Sequence, residues 1–254
     1  MSCIRKRVNQ LRFQCSPWPW TTSLGLSVCL AAALAFAPPV GADSPVRIQK
    51  GAIDTDHLRP LSDGGVRRWQ VAPGVALRLY ASPSTEARVI SAIPEGTVLS
   101  NLGCAEVAAQ VWCEVRPFRG GARGFAPAER FLPARGPDGT TPMGLDDSKR
   151  RARNRDFDAT GEIPCAQEQG QALGKCRVAV ARSDGGDATA VVTFPNGFAR
   201  GHYFVHGEFV AASATMSGVG TDTDWRLESG LHYIRVDDQR YELPDALVFG
   251  DRRR

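Results

Sequence analysis

Two histidines stand four residues apart in the stretch "GHYFVHG" and could share one metal ion if the stretch were a helix. His202 and His206 have the H-x3-H spacing of many zinc sites, because a helix would place both imidazoles on one face. The stretch has aromatic and β-branched residues between glycines, which favours a strand. Residues four apart in a strand are separated by about 13 Å. We therefore predict strand histidines and no metal site.

Closely spaced aspartates are the second group that could support a reaction, as general acids and bases or as calcium ligands. The pairs are Asp184 with Asp187, Asp222 with Asp224, and Asp237 with Asp238. All three lie in Gly- or Asp-rich stretches, where aspartate stabilises the turn itself, so we interpret them as turn residues. The chain has no G-x-S-x-G, S-x-x-K or H-E-x-x-H motif and no P-loop. These observations predict a protein that is not an enzyme and needs no cofactor.

The cysteines are the third reactive group, and their chemistry depends on the compartment. The chain has 7 cysteines, of which Cys104, Cys113, Cys165 and Cys176 lie beyond the N-terminal segment. In an oxidising compartment an even number of cysteines indicates disulfides, and the short separations favour Cys104–Cys113 and Cys165–Cys176. Neither pair has the C-x2-C or C-x4-C spacing of a zinc site. A reducing compartment would leave free thiols.

The N-terminal segment indicates an oxidising compartment. Basic residues, the last of them Arg12, precede an apolar run at residues 24–37, and small residues end at Ala42. This order is typical of a cleavable export signal, which we place at residues 1–42; an uncleaved anchor is the alternative. The apolar run is shorter than the about 20 residues that span a bilayer. We predict a periplasmic or secreted protein with no stable membrane span after cleavage.

Loss of the signal would remove the positive charge of the chain. The full chain has 31 Lys and Arg against 27 Asp and Glu, and the signal carries four of the cations and none of the acids. A neutral mature protein is not expected to bind nucleic acid. Aspartates flank the basic run at residues 149–155, and residues 251–254 form a basic tail, so we interpret both as solvated.

Proline and glycine divide the mature chain into two β-rich segments. After an extended arm at residues 43–65, runs such as "VALRLYA" and "VWCEVRPF" predict five or six short strands of a small barrel in residues 66–133. Residues 134–160 lack apolar periodicity and are predicted as a flexible linker. Residues 161–250 again predict strands joined by hairpin turns. The expected fold is all-β, a small barrel followed by a second antiparallel domain that is sandwich or barrel-like.

The first of these segments resembles the bacterial SH3 family of small exported barrels. The matching elements are Ser82-Pro83-Ser84, Val89-Ile90, Pro94-Glu95-Gly96, Trp112 and Gly124-Phe125. They occur in the family's order, with an extended strand before the first turn, and the match covers about a quarter of the chain. The resemblance implies an SH3-like barrel, and some family members bind cell-wall peptides. The closing stretch of the chain is similar to a domain of unknown role that accompanies such modules.

The ligand groove of this barrel is expected beside the Ser82-Pro83-Ser84 turn and the loop between Phe118 and Phe125, because loops at the rim present side chains. The candidate ligand-binding residues are the aromatic Tyr80, Trp112 and Phe125 and the cations Arg78 and Arg119. The Cys104–Cys113 bond is expected to staple a hairpin with the loop "AEVAAQ". Trp112 would then face away from Cys113, either buried or lining a groove.

The expected function is that of an exported, non-enzymatic module that binds peptidoglycan, through its glycan or peptide, or another component of the cell envelope. The net charge of residues 66–135, nine cations against five acids, suits an anionic partner better than that of residues 161–254, with ten against thirteen. Two alternatives stay open. One is a subunit or inhibitor that binds an envelope protein, and the other is a cell-wall hydrolase with its site in the C-terminal domain.

Overall fold

The computed structural model describes residues 57–74, 76–214 and 222–250. These residues all belong to one compact unit, Lys50–Arg254. The predicted signal, the first part of the predicted arm and the basic tail lie outside the described residues. The rest of the arm contains a single 3-10 turn, Leu61–Asp63. Within the described ranges, no helix is long and apolar enough to cross a membrane.

The first antiparallel sheet has seven strands. They are β1 (Arg68–Val71), β2 (Leu77–Tyr80), β3 (Val89–Ile93), β4 (Val98–Val107), β5 (Gln110–Pro117), β6 (Gly124–Pro127) and β7 (Phe131–Pro133). Their order across the sheet is β3-β2-β6-β5-β4-β1-β7. The inward positions form a core in which the rings of Trp69 and Phe131 stack with centroids 5.9 Å apart. One glycine permits close strand contact, because a Cβ on Gly124 would lie 3.0 Å from the carbonyl oxygen of Tyr80.

The hairpin of β4 and β5 confirms one cysteine pairing and corrects the predicted loop. Cys104 and Cys113 lie directly opposite each other and form a disulfide with an S–S distance of 2.03 Å. The predicted six-residue loop is wrong, because the two strands leave only Ala108 and Ala109 between them. Both alanines have positive φ angles, 51° and 61°. This conformation closes a two-residue hairpin turn, normally with Asn or Gly.

The second antiparallel sheet has eight strands. They are β8 (Ala159–Ala166), β9 (Gly174–Ser183), β10 (Asp187–Thr193), β11 (Ala199–Val205), β12 (Glu208–Ala212), β13 (Thr223–Glu228), β14 (Leu231–Val236) and β15 (Gln239–Pro244). Their order is β12-β11-β10-β9-β8-β15-β14-β13. The sheet curls until β12 contacts β13 and β14, so it forms a nearly closed barrel. The predicted all-β fold with two antiparallel sheets is confirmed.

The interior of this barrel follows the alternation of its strands. On β11, Arg200, His202 and Phe204 are buried and the residues between them are not, as expected when one face of a strand points inward. Cys165 and Cys176 form the second predicted disulfide, with an S–S distance of 1.95 Å, and belong to the same core. Helix α2 (Asp245–Phe249) follows β15 and buries Val248 in this core.

Residues 134–160 connect the two sheets, and they make contacts that their polar composition did not predict. They include helix α1 (Ser148–Arg153), whose Ser148 hydroxyl lies 3.0 Å from that of Thr189 on β10. Gly136 packs so closely that a Cβ there would lie 2.2 Å from the backbone of Gly185. The predicted solvated run at 149–155 thus includes a helix. Most side chains of the run are exposed, and Arg151 differs in binding Asp156, Asp158 and the carbonyl of Arg182.

Candidate functional site

Four of the five predicted ligand-binding residues share one face of the first sheet. On β2, Arg78 is exposed and Tyr80 is half-buried, while the residues that alternate with them point into the core. Phe125 lies directly opposite Tyr80 on β6 and is also half-buried. Trp112 on β5 lies on the same side, because its neighbour Cys113 belongs to the core. We call Arg78, Tyr80, Trp112 and Phe125 the outer aromatic face.

The aromatic rings of this face are in contact. Tyr80 and Trp112 meet edge to face, with centroids 5.8 Å apart and an interplanar angle of 83°. Trp112 is only 4% exposed, although it lies outside the buried core cluster. The predicted alternative in which Trp112 is buried is therefore correct, and the burial occurs on the outer side of the sheet. Tyr80 and Phe125 are the rings that a ligand could reach.

The charged groups in and beside the outer aromatic face differ in whether they form ion pairs. Glu114 lies opposite Phe125 and forms a two-pronged ion pair with Arg123, in which one N–O distance is 2.7 Å. Among the described residues, the side chain of Arg78 has no hydrogen bond or ion pair. Arg78 is therefore a cation that is able to meet a carboxylate beside the rings.

The fifth predicted residue, Arg119, does not join this group. It is an exposed residue of the loop between β5 and β6, and its guanidinium pairs with Glu208 of β12. It also lies 5.7 Å from the ring centroid of Phe118, and Phe118 in turn packs against His206 with centroids 5.4 Å apart. The loop is thus held against the turn between β11 and β12 of the second sheet.

A buried ionic cluster between the two sheets was not predicted. Asp187 was interpreted as a turn residue, but it begins β10 and its side chain is 0% exposed. Its carboxylate accepts from Arg67 at 2.5 Å and from Arg68 at 2.6 and 2.7 Å. The first four residues of β10 are all buried. The glycines and the aspartate before Asp187 indicate only a turn, so the sequence did not reveal its arginine partners. We call Arg67, Arg68 and Asp187 the junction cluster.

The two histidines occupy different environments. His202 is a strand residue, as predicted, and burial beside Arg200 lowers its pKa to about 3. Neither of its ring nitrogens makes a hydrogen bond of good geometry with the described residues, although the carbonyls of Ala190 and Arg200 lie nearby. His206 was wrongly predicted as a strand residue, because it lies in the turn after β11 with a φ of 52°. Burial and the charge of Arg68 lower its pKa as well.

Further polar side chains enter the interior of the barrel that the second sheet forms. Tyr241 packs its ring edge against His202 with centroids 4.3 Å apart and donates to Gln239 at 2.5 Å. Burial raises the pKa of the Tyr241 hydroxyl. In the same sheet, His232 accepts from the indole of Trp225 at 3.1 Å, and its other ring nitrogen lies 3.1 Å from Asp245. This pair fixes the edge strand β13 to helix α2.

The remaining aspartates line two surface clefts. One, of about 530 Å³, is bordered by Asp222, Asp237 and Asp238 together with Arg235 and Arg240. Arg235 binds Asp222 at 2.9 Å, and Asp237 has the positive φ of a turn residue, as predicted. Asp224 is different, because it belongs to strand β13. The other cleft, of about 380 Å³, lies beside Asp187 and helix α2.

In the parts of the chain that the structure describes, no group of three or more His, Cys, Asp or Glu side chains is placed to hold a metal ion. Comparison of the chain with protein-family models, with curated proteins and with solved structures finds no match.

Proposed function

We propose that this chain is an exported, non-enzymatic protein that binds peptidoglycan through the outer aromatic face of an SH3-like first domain. The observation that carries the proposal is the convergence of Arg78, Tyr80, Trp112 and Phe125, chosen from sequence alone, on one face of the sheet away from the core. Half-buried aromatic rings provide flat, rigid surfaces for sugars and peptides at a low entropic cost. The unpaired cation beside them suits the carboxylates of stem peptides.

The disulfides support the location that the proposal requires. Each of the two bonds joins neighbouring strands within its own sheet. Structural disulfides are typical of proteins outside the reducing cytoplasm. The export signal at residues 1–42 remains a prediction from the sequence. A periplasmic or secreted location would give the outer aromatic face access to the cell wall.

Retention of the mature chain on purified sacculi tests the proposal. The joint substitution of Arg78→Ala and Tyr80→Ala should weaken binding by about tenfold or more, because truncating an aromatic hot-spot residue costs about 2 kcal/mol or more and each 1.4 kcal/mol is about tenfold in affinity. Both positions lie on the solvent side of β2, so the midpoint of thermal unfolding should change little. Unchanged retention would remove the outer aromatic face from the proposal.

The second sheet offers a matched control. Arg226 stacks on Tyr233 with its guanidinium 4.2 Å from the ring centroid, on the outer side of β13 and β14. Joint replacement of Arg226 and Tyr233 by Ala removes the same two residue types and should leave retention intact. Capture of a stoichiometric protein from an envelope extract, without retention on sacculi, would favour the protein-binding alternative. Turnover of peptidoglycan fragments would favour the hydrolase.

A further inference from the structure

The two disulfides differ in how accessible their cysteines are. Cys165 and Cys176 are 3% and 2% exposed, and Cys113 is 0% exposed. Cys104 is only half-buried, and the five residues that follow it are all exposed. Thiol–disulfide exchange requires a thiolate to reach one of the two bonded sulfur atoms. Cys104 is therefore the most accessible point of attack among the four cysteines.

The two disulfides also differ in the spacing that their strands impose. Cys104 and Cys113 lie directly opposite each other in the ladder of β4 and β5, with their Cα atoms 4.0 Å apart. Cys165 lies opposite Gly174, so its bond to Cys176 is diagonal and spans a Cα–Cα distance of 5.8 Å. Disulfides usually have Cα atoms about 4.4–6.8 Å apart, and a bond held outside this range is more easily reduced. Spacing and access therefore both make Cys104–Cys113 the more easily reduced bond.

The unfolded chain gives no reason for such a difference. The two pairs of linked cysteines are 9 and 11 residues apart in sequence, so closing the two loops costs nearly the same entropy. A large difference in reactivity between the bonds would therefore come from the folded structure. Each bond is thus a matched control for the other.

The Cys104–Cys113 bond holds the end of the β4–β5 hairpin, residues 105–112, which we call the hairpin tip. The ladder of the tip has only three residue pairs. The turn that closes them is unfavourable, because Ala108 and Ala109 have positive φ angles. Loss of the disulfide would leave this short ladder to hold the tip alone, so the tip should open more often.

We propose that Cys104–Cys113 is an exchange site, which a dithiol protein of the cell envelope reduces to release the hairpin tip, whereas Cys165–Cys176 is structural. A thiolate of the reductant attacks Sγ of Cys104 and forms a mixed disulfide, and Cys113 leaves as a thiolate that takes up a proton. The second thiol of the reductant then attacks the reductant's own sulfur in the mixed disulfide. This step forms the reductant's disulfide and expels Cys104 as a thiolate, which is protonated in turn. Two electrons thus pass from the dithiol to the protein, and the Cys113 thiol stays in the core as a small apolar group.

Release of the hairpin tip would reach the outer aromatic face. Trp112 belongs to the tip, and its ring meets that of Tyr80 edge to face. The redox state of the exchange site would therefore regulate wall binding. This consequence and the location in the envelope rest on the proposed function, whereas the exchange chemistry does not.

Partial reduction of the folded mature chain tests the exchange site. The oxidised protein is incubated with dithiothreitol for increasing times, the free thiols are trapped with N-ethylmaleimide, and mass spectrometry of the peptides follows both bonds. We expect Cys104–Cys113 to be reduced faster than Cys165–Cys176 by about tenfold or more, since the rate depends on access to the sulfur. In concentrated guanidinium chloride the two rates should become similar. Equal rates in the folded protein, faster reduction of Cys165–Cys176, or a preference that persists in denaturant would overturn the proposal.

A monothiol identifies the sulfur that is attacked. With glutathione in place of dithiothreitol, the mixed disulfide trapped by N-ethylmaleimide should be on Cys104. A mixed disulfide on Cys113 would contradict the assigned point of attack.

Hydrogen exchange tests the release of the hairpin tip. The joint variant Cys104→Ser and Cys113→Ala reproduces the open bond without a reductant, and its amides in residues 105–112 should exchange faster than those of the oxidised wild type. The matched control, Cys165→Ser with Cys176→Ala, should leave exchange in the tip unchanged. Equal protection of the tip in the first variant and the wild type would overturn its release. None of these measurements uses peptidoglycan, so this proposal and the proposed function can fail separately.

Discussion

His202 places an ionisable ring in the interior of the barrel that the second sheet forms, where burial favours the neutral form. Its pKa is lowered to about 3 from an ordinary value of 6.5, chiefly by burial. Between these two pH values the unfolded chain binds a proton that the folded chain does not. The free energy of unfolding is thus unaffected by this titration above about pH 6.5. Between about pH 6.5 and pH 3, the titration of His202 lowers the free energy of unfolding by about 1.4 kcal/mol for each pH unit of acidification.

Replacing His202 by Phe should remove this pH dependence while keeping a ring against Tyr241 and Phe209. We expect the wild type to lose about 3 kcal/mol more than His202→Phe between pH 7.5 and pH 4.5. Urea unfolding at several pH values measures the difference, and effects of the other acids cancel because both proteins share them. Parallel pH profiles for the two proteins would show that His202 titrates normally or is not buried.

At the level of elements, the β4–β5 hairpin is held by its disulfide and closed by an unfavourable turn. Ala108 and Ala109 both occupy the left-handed region, with φ angles of 51° and 61°, which costs an alanine about 1 kcal/mol or more. Asn and Gly are the residues that type I′ turns prefer.

The joint substitution Ala108→Asn and Ala109→Gly should therefore stabilise the protein by about 1 kcal/mol or more. Chemical denaturation of the oxidised protein measures the gain. The control is Ala105→Gly, within β4, which should destabilise because glycine weakens a strand interior. A loss of stability in the turn variant would mean that this turn does not have positive φ angles in solution.

The strands were predictable where proline and glycine separate alternating runs, as at Pro94 and Gly96 before β4. The hairpin loop was not predictable, since a turn made of two alanines lacks the Asn-Gly signal. Helix α1 was missed because six residues carry little periodicity and its contact with β10 is tertiary.

The candidate site shows the same division between local and tertiary information. The shared face of Tyr80 and Phe125 follows from strand alternation, once both are placed on strands. The position of Arg119 could not be foreseen, because its partner Glu208 is 89 residues away. Asp187 was likewise interpreted as a turn residue from its neighbouring glycines. Its two arginine partners could not be foreseen, because they lie about 120 residues earlier in the chain.

On the scale of the whole molecule, the junction cluster connects the two sheets into one folding unit. Asp187→Asn removes the carboxylate that the two buried guanidinium groups share and should cost about 3–5 kcal/mol. The wild type should unfold in a single urea transition. In the variant, the midpoint should fall or the two sheets should unfold separately, as monitored by the fluorescence of Trp69 and Trp225.

A charge substitution on the surface is the control for this prediction. Glu228→Gln removes an ion pair whose partners are 64% and 65% exposed, and it should change stability by less than about 1 kcal/mol. Equal effects of Asp187→Asn and Glu228→Gln would contradict the role of the junction cluster.

The central claim is that the outer aromatic face binds the cell wall, and an NMR titration of the mature chain with soluble peptidoglycan fragments tests it most directly. We predict that the largest shifts occur at the amides of Tyr80 and Phe125 and at the indole N–H of Trp112, with the second sheet unchanged. The Trp112 signal can be assigned with Trp112→Phe. The claim would be contradicted if no signal shifted at millimolar concentrations of the fragment, or if the shifts were confined to the second sheet.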